Sequence, residues 1–210
     1  MADILLDEQS APATPASGTG ALFIDSVSSI PGFINDGGRK GLMAGSSFNA
    51  SIAAQSGFAA DTYLTDSDLL IPSFGFQART MFRWRISVSK TAAGVATPIF
   101  TVRIGAARTV SDTSRLVLTG PAQTAAADVG VYDVLLVVRN VGASGVLQGT
   151  LLLSHNGAAV GLASNDASAV EGTSAGFDNA ALMGQYISLS INAGASAAWT
   201  ISQVRAEAMW

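Results

Sequence analysis

Cysteine is absent from the 210 residues and histidine occurs once. Without cysteine there are no disulfides and no thiolate metal ligands. With a single imidazole, His155, no histidine cluster can hold a metal ion. Charge is also scarce: Asp, Glu, Lys and Arg make up 12% of the chain, about half the ordinary share. Fifteen acidic residues against eleven basic ones give a net charge of −4. That is the wrong sign for a nucleic-acid partner, which calls for a basic stripe. No apolar run approaches the roughly 18 residues that span a bilayer. The opening "MADILLDEQSAP" is acidic and lacks the basic and apolar regions of a secretory leader. Synthesis in the cytoplasm, with no nucleic acid and no membrane insertion, is the expectation.

What the chain does have is apolar residues, 49% of the total, enough for a real core at this length. Ala, Ser, Thr and Gly stand where charges usually do, so the exterior is smooth and weakly protected against association. Two readings fit: a surface covered by copies or a larger assembly, or an extracellular β-domain with a Ser/Thr-rich surface.

Three segments follow from the patterning. Residues 1–20 join "DILLDEQ" to the Pro/Ala/Ser/Gly-rich "SAPATPASGTG" and read as an extended arm, unable to fold alone. Residues 21–45 carry two short apolar runs, Ala21–Asp25 and Gly32–Asn35, around turn residues, and read as a small β-hairpin module. From residue 46 to 210 the period is two. In "TMFRWRISVS", Met81, Arg83, Arg85, Ser87 and Ser89 share one face, and Phe82, Trp84, Ile86 and Val88 the other. "VYDVLLVVRN" and "GVLQGTLLLSHN" are continuous enough in apolar residues to sit deep in a sheet. Gln185–Ala193 and Ala197–Glu207 read as a final strand pair. Eight to ten strands at this spacing predict an all-β antiparallel sandwich of jelly-roll type, with helical turns conceivable only at "TAAADVG" and "DNAALMG".

Candidates for chemistry are few. His155, at the end of "LLLSHNG", has no G-x-S-x-G serine and no marked carboxylate to work with, so it reads as structural. Asp133 and Glu207 read as strand residues, and nothing marks them as a glycosidase pair. Asp66 and Asp68 in "TDSDLL" lack the further oxygen ligands of a calcium loop. Trp84 and Trp199 fall on core sides of their strands, whereas Trp210 needs a cover, for which a subunit interface is the simplest source. No catalytic residue, cofactor or metal is expected; the strands supply shape.

Two stretches resemble known proteins. "APATPASGTGALFIDS…INDGG" resembles a module of tailed-bacteriophage structural proteins, matched at Pro12, Pro15, Gly18, Leu22, Phe23, Asp25, Asp36 and Gly37, with Phe23 where Tyr is usual. The body, from "FRWRISVSK" to "SQVRAEA", resembles virion proteins of double-stranded DNA phages. The resemblance implies an arm that attaches to the particle and a jelly-roll body forming a homotrimer. The major capsid protein or other virion proteins would then be its partners.

The leading expectation is therefore a virion structural protein of capsid-decorating (cement) or head-fibre type. Docking is assigned to Asp3, Ile4, Leu5, Leu6, Pro12 and Pro15 of the arm, and self-association to Val204, Ala206, Met209 and Trp210. The alternative is a tail-fibre or tail-tip module binding a host-surface receptor, glycan or protein, through loops 91–97, 120–130 and 174–182. An enzyme acting on polysaccharide would need Asp133 or Glu207.

Overall fold

The computed structural model describes residues 8–42, 47–156, 160–163, 169–194 and 198–210. Asp3, Ile4, Leu5 and Leu6 lie outside them. The described chain is all-β apart from one turn of 3-10 helix at Asn179–Leu182, inside "DNAALMG". Four short strands come first: β1 (Glu8–Gln9), β2 (Gly20–Asp25), β3 (Pro31–Asn35) and β4 (Lys40–Leu42). They form one small sheet in chain order, with β1 parallel to β2. The expected hairpin of β2 and β3 is thus widened by a strand on each side.

The remaining strands are β5 (Ser47–Ala50), β6 (Gln55–Ser56), β7 (Thr62–Tyr63), β8 (Leu69–Leu70), β9 (Met81–Lys90) and β10 (Ile99–Gly105). After them come β11 (Thr113–Thr119), β12 (Asp128–Asn140), β13 (Val146–His155), β14 (Ala169–Thr173), β15 (Tyr186–Asn192) and β16 (Trp199–Met209). One sheet runs β14-β13-β12-β9-β16-β5, with β6 also on β16; the other runs β11-β10-β15-β7, with β8 also on β15. β5 and β6 pair with successive parts of β16, and β7 and β8 with successive parts of β15, so each couple is one broken strand. Eight strands then alternate between sheets in the orders first-eighth-third-sixth and second-seventh-fourth-fifth. That order is a jelly roll. β13 and β14 are an additional pair inserted between the sixth and seventh strands, widening one sheet.

The expected hairpin at the end of the chain does not form. β15 lies in the smaller sheet and β16 in the larger, because both turn their apolar sides into the same core from opposite layers. Alternation is identical whichever sheet holds the partner.

Between the sheets the inner residues of β9 (Phe82, Trp84, Ile86, Val88), β12 (Tyr132, Val134, Leu136, Val138) and β16 (Trp199, Ile201, Val204, Ala206, Ala208) are all buried. They meet Phe100, Val102 and Ile104 of β10 and Ile187, Leu189 and Ile191 of β15 in one core. Each buried indole finds an acceptor: Trp84 Nε1 donates to the Ser67 carbonyl at 2.7 Å, and Trp199 Nε1 to Gln123 Oε1 at 3.1 Å. At the widened edge the cross-strand pair Gly149 and Gly172 leaves a notch. A Cβ on Gly149 would stand 2.4 Å from Leu116 Cδ2, and one on Gly172 2.9 Å from Leu118 Cδ2. The missing side chains let β11 lie against β13 and β14.

The small sheet cannot bury a face by itself. Phe23 and Leu42 form a second apolar cluster with Phe74, with Ala11, Ile30 and Trp210 packed on it. A polar fastening lies beside it. The buried Asp25 carboxylate accepts from Val27 N at 3.3 Å, Ser28 N and Ser28 Oγ at 2.9 Å, and Ser73 N at 3.1 Å, and also from the Ser73 hydroxyl. One oxygen serves the β2–β3 turn and the other the segment after β8. Burial raises the Asp25 pKa, but the hydrogen bonds from Ser73 and Ser28 outweigh it and hold the carboxyl below its ordinary value.

Replacing Asp25 by Ala orphans these donors and costs about 3 kcal/mol, read as a lower urea midpoint. The folded pKa lies below the unfolded one, so the stability Asp25 confers is complete above about pH 4 and is lost as pH falls through the folded value. The Ala variant removes that acid-limb contribution; an unchanged limb refutes the assignment.

Candidate functional site

Because the inner residues of β9, β12, β13 and β16 are fixed in the core, their alternate residues form the outer face of the larger sheet. "VYDVLLVVRN" does not lie deep in the fold, as its apolar run suggested: Leu135 and Val137 are exposed while Tyr132, Val134 and Leu136 are buried. A strand apolar on both sides with one side open is the feature that sequence reading missed. Its signal was the lack of polar alternation in β12 and β13.

The registers give this face as rows. Met209, Met81, Val137, Gln148 and Thr173 form the first. The second is Phe48, Glu207, Arg83, Leu135, Thr150 and Glu171, and the third is Ala50, Arg205, Arg85, Asp133, Leu152 and Ala169. Met81, Met209, Leu135, Val137 and Leu152 are 37–46% exposed and Phe48 83%, so these rows are an apolar field with a charged centre. Arg83 donates from Nε to Asp133 Oδ1 at 3.0 Å, its Nη2 lies 3.0 Å from the same oxygen, and its Nη1 lies 3.9 Å from Glu207 Oε1. The hydrogen bond to Asp133 holds the guanidinium pKa above its ordinary value. The strand carboxylates Asp133 and Glu207 thus share one arginine, whose single positive charge offsets one of their two negative charges. Arg85 and Arg205 stand directly opposite each other and form no ion pair within the described residues.

Further along the strands the face becomes rich in hydroxyls. Ser87, Ser89, Ser154 and Ser202, with Val129, Val131 and His155, line a shallow depression of about 460 Å³. His155 closes β13, where its Nδ1 lies 3.0 Å from Asp128 Oδ2. The same oxygen accepts from Leu162 N at 2.9 Å, and Oδ1 from Val129 N at 2.7 Å. His155 is thereby a strand-end fastening. Opposite Asp128 in register is Lys90, itself only 3% exposed. Its Nζ donates to the carbonyls of Thr91, Thr124 and Ala126 at 3.0, 2.7 and 3.0 Å. Burial pushes the Lys90 pKa down, opposed by Asp128.

The residues singled out from the sequence fall in different places. Pro12 and Pro15 are half-buried in a segment that stays with its own chain: Ala11 packs on the Phe23 cluster and Gly18 N donates to Asp36 Oδ2 at 2.7 Å. Val204 and Ala206 are fully buried in the core, which leaves them no surface to offer another subunit. Met209 is exposed on the outer face. Trp210 is covered within its own chain, with ring centroids 6.3, 6.3 and 5.4 Å from Phe74, Phe76 and Phe82.

Asp68 forms an ion pair with Arg108 at 2.8 Å, away from Asp66 in its positive-φ turn. In loop 174–182, Phe177 and Asn179 turn inward. Asn179 bonds both backbone groups of Phe76, at 2.8 and 3.0 Å, and Asp178 caps the 3-10 turn.

No family model and no curated protein matches this chain. Among solved structures, the CBM2 module of Lactobacillus casei BL23 phage J-1 evolved Dit is similar at 9% identity and a TM-score of 0.24. The match covers 78% of this chain and 89% of that one.

Lys90 and Arg83 separate structural charge from surface charge. Lys90→Met leaves three carbonyls without their donor and lowers unfolding free energy by about 2–3 kcal/mol. Arg83→Ala, at a pair with side chains 39% and 21% exposed, costs less than about 1 kcal/mol. Urea denaturation of the two variants checks the order; a larger loss at Arg83 overturns it.

Proposed function

We propose that this chain is a non-enzymatic structural protein of a tailed-phage virion, of capsid-decorating or head-fibre type, that works by surface contact. The observation that carries the contact role is the outer face of the larger sheet. Seven large apolar side chains (Met81, Val129, Leu135, Val137, Leu152, Met209 and Phe48) are exposed on it, in a chain with half the usual charge. Burying such a field against a neighbour is favourable at about 25 cal/mol per Å², and the charges at its centre fix orientation. The virion assignment rests on the sequence likeness of the arm and body to phage structural proteins. The strand carboxylates, tied to Arg83, fit charge balance better than proton transfer.

A second reading is a tail module that binds a host-surface glycan. The depression lined by Ser87, Ser89, Ser154 and Ser202 favours it, since hydroxyls beside apolar Val129 and Val131 suit the polar edge and flat face of a sugar ring. It lies on the same face, so glycan binding and burial against a neighbour exclude one another.

Mixing purified protein with particles that lack it tests the first reading. The full chain is expected to bind at fixed occupancy, and a chain without residues 1–7 to keep its melting temperature and lose particle binding. Full occupancy by the shortened chain moves attachment away from the arm, and failure of the full chain to bind refutes the virion role. Specific, saturable signal on a glycan array, abolished by Ser154→Trp, promotes the second reading over the first.

A further inference from the structure

We propose that the outer face of the larger sheet joins two copies of this chain about a two-fold axis. The axis runs along the strands between β9 and β12 and sets Arg85 of one copy against Asp133 of the other. The inference builds on the contact role proposed above and names its surface and symmetry.

A two-fold contact requires one patch to complement itself. Rotation about that axis brings each β9 residue over the β12 residue of its own row in the second copy. Met81 then meets Val137, the Arg83 stem covers Leu135, and Arg85 meets Asp133. Apolar lies on apolar and cation on anion. The carboxylate is available for this: Arg83 of its own chain uses only Oδ1 of Asp133, and Arg85 has no carboxylate partner among the described residues. Sheet against sheet is also an ordinary packing mode for twisted layers.

The charge balance favours a second copy over an unlike partner. Across the three rows, three arginines (Arg83, Arg85, Arg205) balance three carboxylates (Asp133, Glu171, Glu207). The face is therefore neutral in itself, while the −4 of the whole chain includes the buried carboxylates Asp25, Asp68, Asp112 and Asp128. Size agrees. Four strands about 4.8 Å apart and about 33 Å long present on the order of 600 Å² before side-chain relief, near the ~800 Å² per partner of a standard interface. The sequence likeness implied a trimer; this charge layout has two-fold symmetry.

The test is the mass of the full chain by light scattering and sedimentation at micromolar concentration. Wild type is expected at twice 21.3 kDa. Arg85→Asp and Asp133→Arg, each confirmed as folded by circular dichroism, should dimerise at least roughly tenfold more weakly. Their equimolar mixture should recover dimers, because each variant then supplies the charge the other lacks. The double variant should recover them too. Leu135→Lys, which leaves the salt bridge residues in place, should also give monomers. A wild-type monomer or trimer, single variants that remain dimeric, or a mixture that stays monomeric overturns the interface. A monomer that still binds particles sinks this interface and leaves the virion role intact; a charge-dependent dimer that never binds particles does the reverse.

Discussion

The fold rests on one constraint: in every long strand, alternate side chains are committed to a single aromatic-rich layer between two sheets. Tyr132 and Trp199 stack at 5.4 Å beside Phe100, and Phe82 lies between Trp84 and Phe76 at 6.0 and 5.3 Å. A slip of one residue in β9 would exchange Trp84 for Arg85 in the core. Burial of the inner set therefore dictates the outer set, and the molecule's working surface follows from its core. The rows on the larger sheet are the solvent side of the same registers that seat the indoles.

Polar groups that enter the interior do so with their partners present. Asp25, Lys90 and Asp128 are each nearly inaccessible, and each makes three or more bonds, two of them with groups distant in sequence. Their positions are structural: Asp25 fastens the small sheet to the body, and Lys90 with Asp128 pins the 120–128 loop and the end of β13. The scarcity of charge is thus sharper than composition implies, since part of what exists is internal.

Strand periodicity was legible in the sequence wherever one side faced solvent. The split of Met81 to Ser89 between two faces, and the phase of Phe100, Val102 and Ile104 against Ile99, match the burial along β9 and β10. The jelly roll followed from strand number and spacing. Pairing partners were not legible: β15 and β16 alternate as a hairpin would, yet β15 pairs with β10 and β16 with β9. The roles of Asp25 and Lys90 were hidden because Ser73 and Thr124 lie 48 and 34 residues away. The aromatic neighbours of Trp210, namely Phe74, Phe76 and Phe82, were hidden for the same reason. The apolar outer face had a readable trace, a strand apolar on both sides, but that pattern also describes a strand covered on both sides.

The broken strands β5/β6 and β7/β8 carry a consequence for concentrated protein. Each borders its sheet in pieces of two to four residues, and short interrupted borders offer a poor template for an incoming strand. Backbone-to-backbone growth into fibrils is disfavoured at those margins even when many copies crowd together.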